Sequence, residues 1–277
     1  MFHIMHGMSE ARPMADWLNA GPLDRRAARR AHRLLSLDAY AVTMTVAAAL
    51  VAAMHFFGDL IGIDTAAAGC AFIIYAGISA IALGNLRMHG HARFGAANIV
   101  TTIRAALTAV MGGLVLASPQ FGAGFDQSAS WMLGFVIAFA LLLDGFDGFL
   151  ARQTHTVSQF GARFDMEVDA LLILFLSLAA VLLGKAGLWV LLIGLMRYGY
   201  VAAQTIFPAL KGELPQSMRR KAICVVQGVA LCLMLFPVIT SPFSTLLAAA
   251  ALALLTYSFA VDVVFLVNAS RNPHVAT

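Results

Sequence analysis

The sequence predicts an all-α fold, a polytopic membrane helix bundle of about eight transmembrane helices, and two observations carry that prediction. Hydrophobic residues fill 61% of the 277 positions against 12% charged, and the mean hydropathy of +0.84 is far above that of a water-soluble domain. The apolar residues are also gathered into runs near the ~20 residues that cross ~30 Å of hydrocarbon. Between the runs lie short connections rich in Gly, Pro and Ser, such as SPQFGAGFDQSAS, GKAG and PVITSPF, as turns between packed helices require. No stretch reads as a soluble domain.

Residues 1–38 are polar and hold Arg25, Arg26, Arg29, Arg30 and Arg33 beside Leu34, Leu35 and Leu37. The first apolar run starts near Ala39, too late for a cleavable signal peptide. This basic segment is open between a helix lying along an anionic cytoplasmic leaflet and a solvated flank. The predicted spans are 39–58, 66–86, 96–117, 130–151, 166–184, 187–207, 221–239 and 243–266. Of the 18 Lys and Arg, only Lys185 falls in a loop opposite the N-terminal side, and Arg104 and Arg197 lie inside spans. That asymmetry puts both termini in the cytoplasm. The net charge of +4 is then topological information and implies no nucleic acid. Cys70, Cys224 and Cys232 have no metal or disulfide spacing and read as packing residues.

The fourth and fifth spans meet in DGFDGFLARQTHTVSQFGARFDMEVD, residues 144–169. Asp144 and Asp147 are three apart, and Asp165 and Asp169 four apart, so each pair projects from one helical face. Carboxylates at the edges of membrane-length segments are expensive and usually functional. Their mutual repulsion favours a bound cation, and an all-oxygen set suits Mg2+, Mn2+ or Ca2+ over zinc. Gly148, Ala151 and Gly161 keep bulk low beside the acids, and Arg152 supplies a fixed positive charge. This face then opens to the cytoplasm.

These residues resemble the CDP-alcohol phosphatidyltransferases, whose signature D-x2-D-G-x2-A-R-x8-G-x3-D-x3-D is matched at Asp144, Asp147, Gly148, Ala151, Arg152, Gly161, Asp165 and Asp169. The resemblance implies a six-helix core over 91–270, preceded by two additional helices over 39–90 and the basic segment 1–38. It implies an enzyme of phospholipid biosynthesis in a membrane, expected to be a bacterial inner membrane. The reaction moves a phosphatidyl group from CDP-diacylglycerol to an alcohol or phosphorylated alcohol and releases CMP. One or two divalent ions, Mg2+ or Mn2+, are held by the four Asp residues, with Asp169 also the general base and a homodimer the expected assembly.

In the third span Asn98, Thr101 and Arg104 share one face, resembling the N-x2-T-x2-R opening of the family's first core helix. A buried arginine needs an anionic partner. For Arg104 that partner is either the Asp cluster or a substrate phosphate, while Thr101 either meets substrate or bonds its own backbone. Arg197, Arg219 and Arg220 are read either as acceptor-phosphate ligands, which their planar donors suit, or as structural and snorkelling cations. Lys221 with Gln227 only partly resembles the run found in glycerophosphate-using members. Asp262 is expected at the interface. The alternative from another class is a cation or proton transporter built on the same carboxylates, but it leaves Gly148, Ala151, Arg152 and Gly161 without a role.

Overall fold

The structure is a computed structural model and describes residues 22–86, 93–122, 124–153, 158–212, 214–215 and 217–271. Side chains of 22–29, 31–32, 146–153, 159 and 271 also lie outside the description. Among the described residues there are eight α-helices and no strand. They are α1 (Pro22–Phe57), α2 (Thr65–Gly84), α3 (Ala96–Ala117), α4 (Gln127–Gln153), α5 (Gln159–Leu182), α6 (Leu191–Ile206), α7 (Met218–Leu233) and α8 (Phe243–Arg271). Five are long and apolar enough to cross a membrane: α1, α2, α3, α4 and α8. α6 and α7 have 16 residues each, about 24 Å. They are extended by 3-10 turns or loop at their ends, and α5 has four charged residues in its first half.

Helix α3 is the centre. Of its 18-residue apolar stretch 72% is buried, against 22% for α1 and α8 and 28% for α2. Small residues make this possible, since Ala105, Ala106 and Ala109 are buried where α3 meets its neighbours and helices approach closely where side chains are short. A Cβ on Gly113 would lie 2.3 Å from the Ala67 carbonyl oxygen of α2, and one on Gly112 2.6 Å from the Phe175 ring of α5. α2 is therefore pressed onto the central helix.

Two loop systems close the end of the bundle remote from Asp144. The Asp64 carboxylate accepts from the Ala67 amide at 2.8 Å and from the Ser118 hydroxyl at 3.2 Å, joining the α1–α2 and α3–α4 connections. Lys185 does the same for the other half. Its ammonium donates to the Phe236 and Ile239 carbonyls at 3.2 and 2.7 Å, while its own carbonyl accepts from the Ser244 hydroxyl at 2.6 Å. Burial holds the Lys185 pKa below the usual lysine value, and the carbonyls supply the acceptors that the charge needs.

Helix boundaries depart from the predicted spans chiefly at α1 and α5. The basic run and the first apolar span form one helix of 36 residues, because no Gly or Pro interrupts residues 23–57. α5 starts seven residues earlier than expected. The Ser158 hydroxyl accepts from the Gly161 amide at 2.9 Å, an N-cap that places Gly161 and Asp165 on the helix. α1 is also tied to the start of α3, where Asp38 accepts from the Phe94 amide at 3.1 Å.

Candidate active site

Three helices build the site from one end of the bundle. Arg104 stands on α3, Asp144 on α4, and Asp165 and Asp169 one turn apart on α5. Arg104 is 1% exposed, and its Nη1 contacts Asp144 at 2.9 Å and Asp165 at 2.5 Å. Its Nη2 pairs with Asp169. The carboxylates are a quarter to a third exposed, so the arginine lies inward and the acids face the opening. Among the described residues, one guanidinium against three carboxylates leaves two formal negative charges in a partly desolvated place, where unbalanced charge is costly.

The donor set fits a hard divalent cation. Asp144, Asp165 and Asp169 each offer an oxygen within 4.8 Å of the other two, and oxygen-only ligands of this kind suit Mg2+-like ions. The residual charge has the size such an ion would neutralise. Asp147, Gly148, Ala151 and Arg152 lie on the last turns of α4, but their side chains are outside the described residues.

Gly161 has a packing role visible in the geometry. A Cβ there would come 2.7 Å from the Asn98 Oδ1, so the glycine lets the start of α5 seat against α3. Asn98 itself donates to the Phe94 carbonyl. Thr101 donates to the Ala97 carbonyl at 3.1 Å.

The remaining candidate cations stand in other company. Arg197 on α6 pairs with Glu167 on α5 at 2.6 Å. Arg219 reaches Asp262 at 2.5 Å and donates to the Ser258 carbonyl and hydroxyl at 2.8 and 3.0 Å, joining α7 to α8. Arg220 lies 3.4 Å from Asp262 and donates to the Pro215 carbonyl. Asp262, expected at the interface, is 7% exposed and anchors both arginines. Sequence reasoning missed this residue and Glu167. For Asp262 the signal was an acid in an apolar run with an arginine elsewhere to receive it, whereas Glu167 stands among Arg163, Asp165 and Asp169, which hid it. Gln227 is buried and donates to the Ala251 carbonyl at 2.8 Å.

A cavity of 360 Å³ leads from the acids into the bundle between α4, α5 and α7. Asp144 and Asp169 form its polar end, and Leu141, Ile173, Gly228 and Val229 line the rest. Cys224 also faces it. A site with charge at one end and an apolar cleft at the other accommodates a ligand of the same polarity.

The comparisons agree with this geometry. The family model for CDP-alcohol phosphatidyltransferase matches residues 94–261, from just before α3 into α8. A relative from Mycobacterium tuberculosis, described as a "probable phosphatidylglycerophosphate synthase", is 31% identical over 170 residues, covering 61% of this chain and 79% of the relative. The same protein from a second strain matches equally. No solved structure matches the chain. With the signature complete in the sequence, three of its four acids converging on one cation, and most of the chain matched, the protein belongs to the CDP-alcohol phosphatidyltransferase family.

Proposed function

We propose that the protein transfers a phosphatidyl group from CDP-diacylglycerol to glycerol phosphate, releasing CMP and forming phosphatidylglycerophosphate. The observation that supports this most is the convergence of Asp144, Asp165 and Asp169 at the head of an apolar cleft. A water-soluble nucleotide and a diacylglycerol tail then have adjoining places. The acceptor is taken from the name of the mycobacterial relative.

In this reading Asp144, Asp147, Asp165 and Asp169 would hold one or two ions, Mg2+ or Mn2+, which supply charge neutralisation at the pyrophosphate when bound. Arg152 meets a phosphate of the donor, and Gly148, Ala151 and Gly161 keep its approach clear. Asp169 takes the proton of the acceptor hydroxyl. The acceptor oxygen forms a bond to the phosphatidyl phosphorus as the bond to CMP breaks, and CMP leaves with that electron pair. Such chemistry is mostly positioning and charge stabilisation. Arg104 keeps the acids together and adds positive charge. Arg197, Arg219 and Arg220 are assigned to the acceptor phosphate, for which Glu167 and Asp262 act as competing anions in the free protein.

The Asp-bearing end and both termini are assigned to the cytoplasm on the distribution of Lys and Arg, and a homodimer is assigned on the family resemblance. The domain reading is retained with them: basic segment 1–38, added helices 39–90 and catalytic core 91–270. The test is to incubate the purified protein with labelled CDP-diacylglycerol and glycerol phosphate, inositol phosphate or serine, and to identify the lipid formed. Phosphatidylglycerophosphate is expected. Another phosphatidyl lipid would change the acceptor, and no lipid from any alcohol would sink the reading.

A further inference from the structure

On the side of α5 roughly opposite Asp165 and Asp169, a second cavity of 380 Å³ opens between α2, α5 and α6, within the size range of small-ligand sites. Its polar residues lie at one end, beside Phe160 and Phe164. Asn85, Arg163 and Glu167 stand toward the Asp-bearing end of the bundle, and Ile78, Val168 and Leu171 line it further in. Arg163 and Leu171 are about 12 Å apart along α5. A polar mouth above an apolar cleft matches an amphiphile entering from the membrane edge.

The sign of the head group follows from the charges. Glu167 is already paired with Arg197, whereas Arg163 is exposed and has no carboxylate partner among the described residues. Among the described residues the mouth is thus one positive charge in excess. On the third wall the Tyr198 hydroxyl is buried without a hydrogen-bond partner among the described residues, although hydroxyls so placed normally find one. A phosphate oxygen or ester carbonyl is the acceptor it lacks.

We infer that this cleft is a binding site for an anionic phospholipid, with the phosphate at Arg163 and an acyl chain between α2 and α5. It is distinct from the carboxylate site, and its charge balance is that of the free protein, in which Glu167 is paired with Arg197. One wall is α2, which lies outside the residues matched by the family model. The other is the helix that carries Asp165 and Asp169, so an occupant bears directly on their placement.

The test uses the full chain in phosphatidylcholine nanodiscs with a trace of photoreactive phosphatidylglycerol or photoreactive phosphatidylcholine, followed by peptide mapping. The anionic probe is expected to label residues 78–85 and 160–171 about fivefold more than the choline probe, the discrimination that one basic group near a membrane surface supplies. Arg163→Gln should abolish the preference and Arg163→Lys restore it, while Ala82→Trp, which fills the cleft, should reduce labelling by both probes. Excess CMP, which has no acyl chain, should leave the labelling unchanged. Equal labelling by the two probes, indifference to Arg163→Gln, displacement by soluble glycerol phosphate, or cross-links between two copies through this face would each overturn the assignment.

Discussion

At the scale of single residues, the site turns on one arginine shared by three acids. Replacing Arg104 with Met leaves the carboxylates facing one another without their internal cation. The cost is expected to be about 1–3 kcal/mol, below the 3–5 of a fully buried pair, because the acids are partly exposed. In chelator the variant should melt earlier than the native protein, and Mg2+ should recover more stability in the variant. Parallel melting shifts would mean that arginine and metal do not share the cluster. The acids themselves separate by role. Asp169→Asn should retain CDP-diacylglycerol binding while turnover falls about 100-fold or more, the usual size of general-base loss, whereas Asp144→Asn should weaken binding itself. Equal loss of binding in both variants would make Asp169 chiefly a metal ligand. That Arg104 needs an anion was legible in the sequence, which left the Asp cluster and a substrate phosphate both open as its partner; the structure shows the cluster. The anchoring of Arg219 by Asp262 was not, because hydropathy places both near span ends and contains nothing about which ends are neighbours.

At the scale of elements, close helix contacts set what the chain tolerates. Gly113→Leu would drive a side chain into the backbone of α2 at Ala67, and overpacking of this kind costs about 1–3 kcal/mol. Thermal unfolding in detergent should fall accordingly, while Gly69→Ala, with open space around it, should not. Gly161→Ala meets a side chain instead, that of Asn98. It is therefore expected to lower turnover more than stability, through a shifted start of α5. Lys185→Met keeps the apolar stem but loses two donated bonds to carbonyls, with an expected loss of about 1–3 kcal/mol. An unchanged melting temperature would show that the loops are held by packing alone. Helix α3 was read from sequence with both ends correct because Gly95 and Ser118 bracket a largely apolar run. α5 starts before its predicted span because four charged residues interrupt the apolar run there, and the Ser158 cap shows only in the structure.

At the scale of the whole molecule, the bundle has a core matched by the family and two helices in front of it, of which α2 is pressed onto the central helix α3. The seam between them is not a linker. Deleting residues 1–85 would uncover the face of α3 that meets Ala67 and Ala71, so the shortened protein is expected to unfold at lower temperature and to lose activity with it. Retention of full stability would make α1 and α2 an appendage. That they exist was legible from composition, but their intimacy with α3 was not, because it rests on single glycines opposite particular alanines. The Lys185 clamp has a mechanical meaning as well. It pins the α5–α6 loop to the α7–α8 turn at the end away from the acids, like the bow of a pair of tweezers. Small rotations about that fixed point grow with distance along the helices and are largest where substrates must enter, so the molecule can part its tips without loosening its grip.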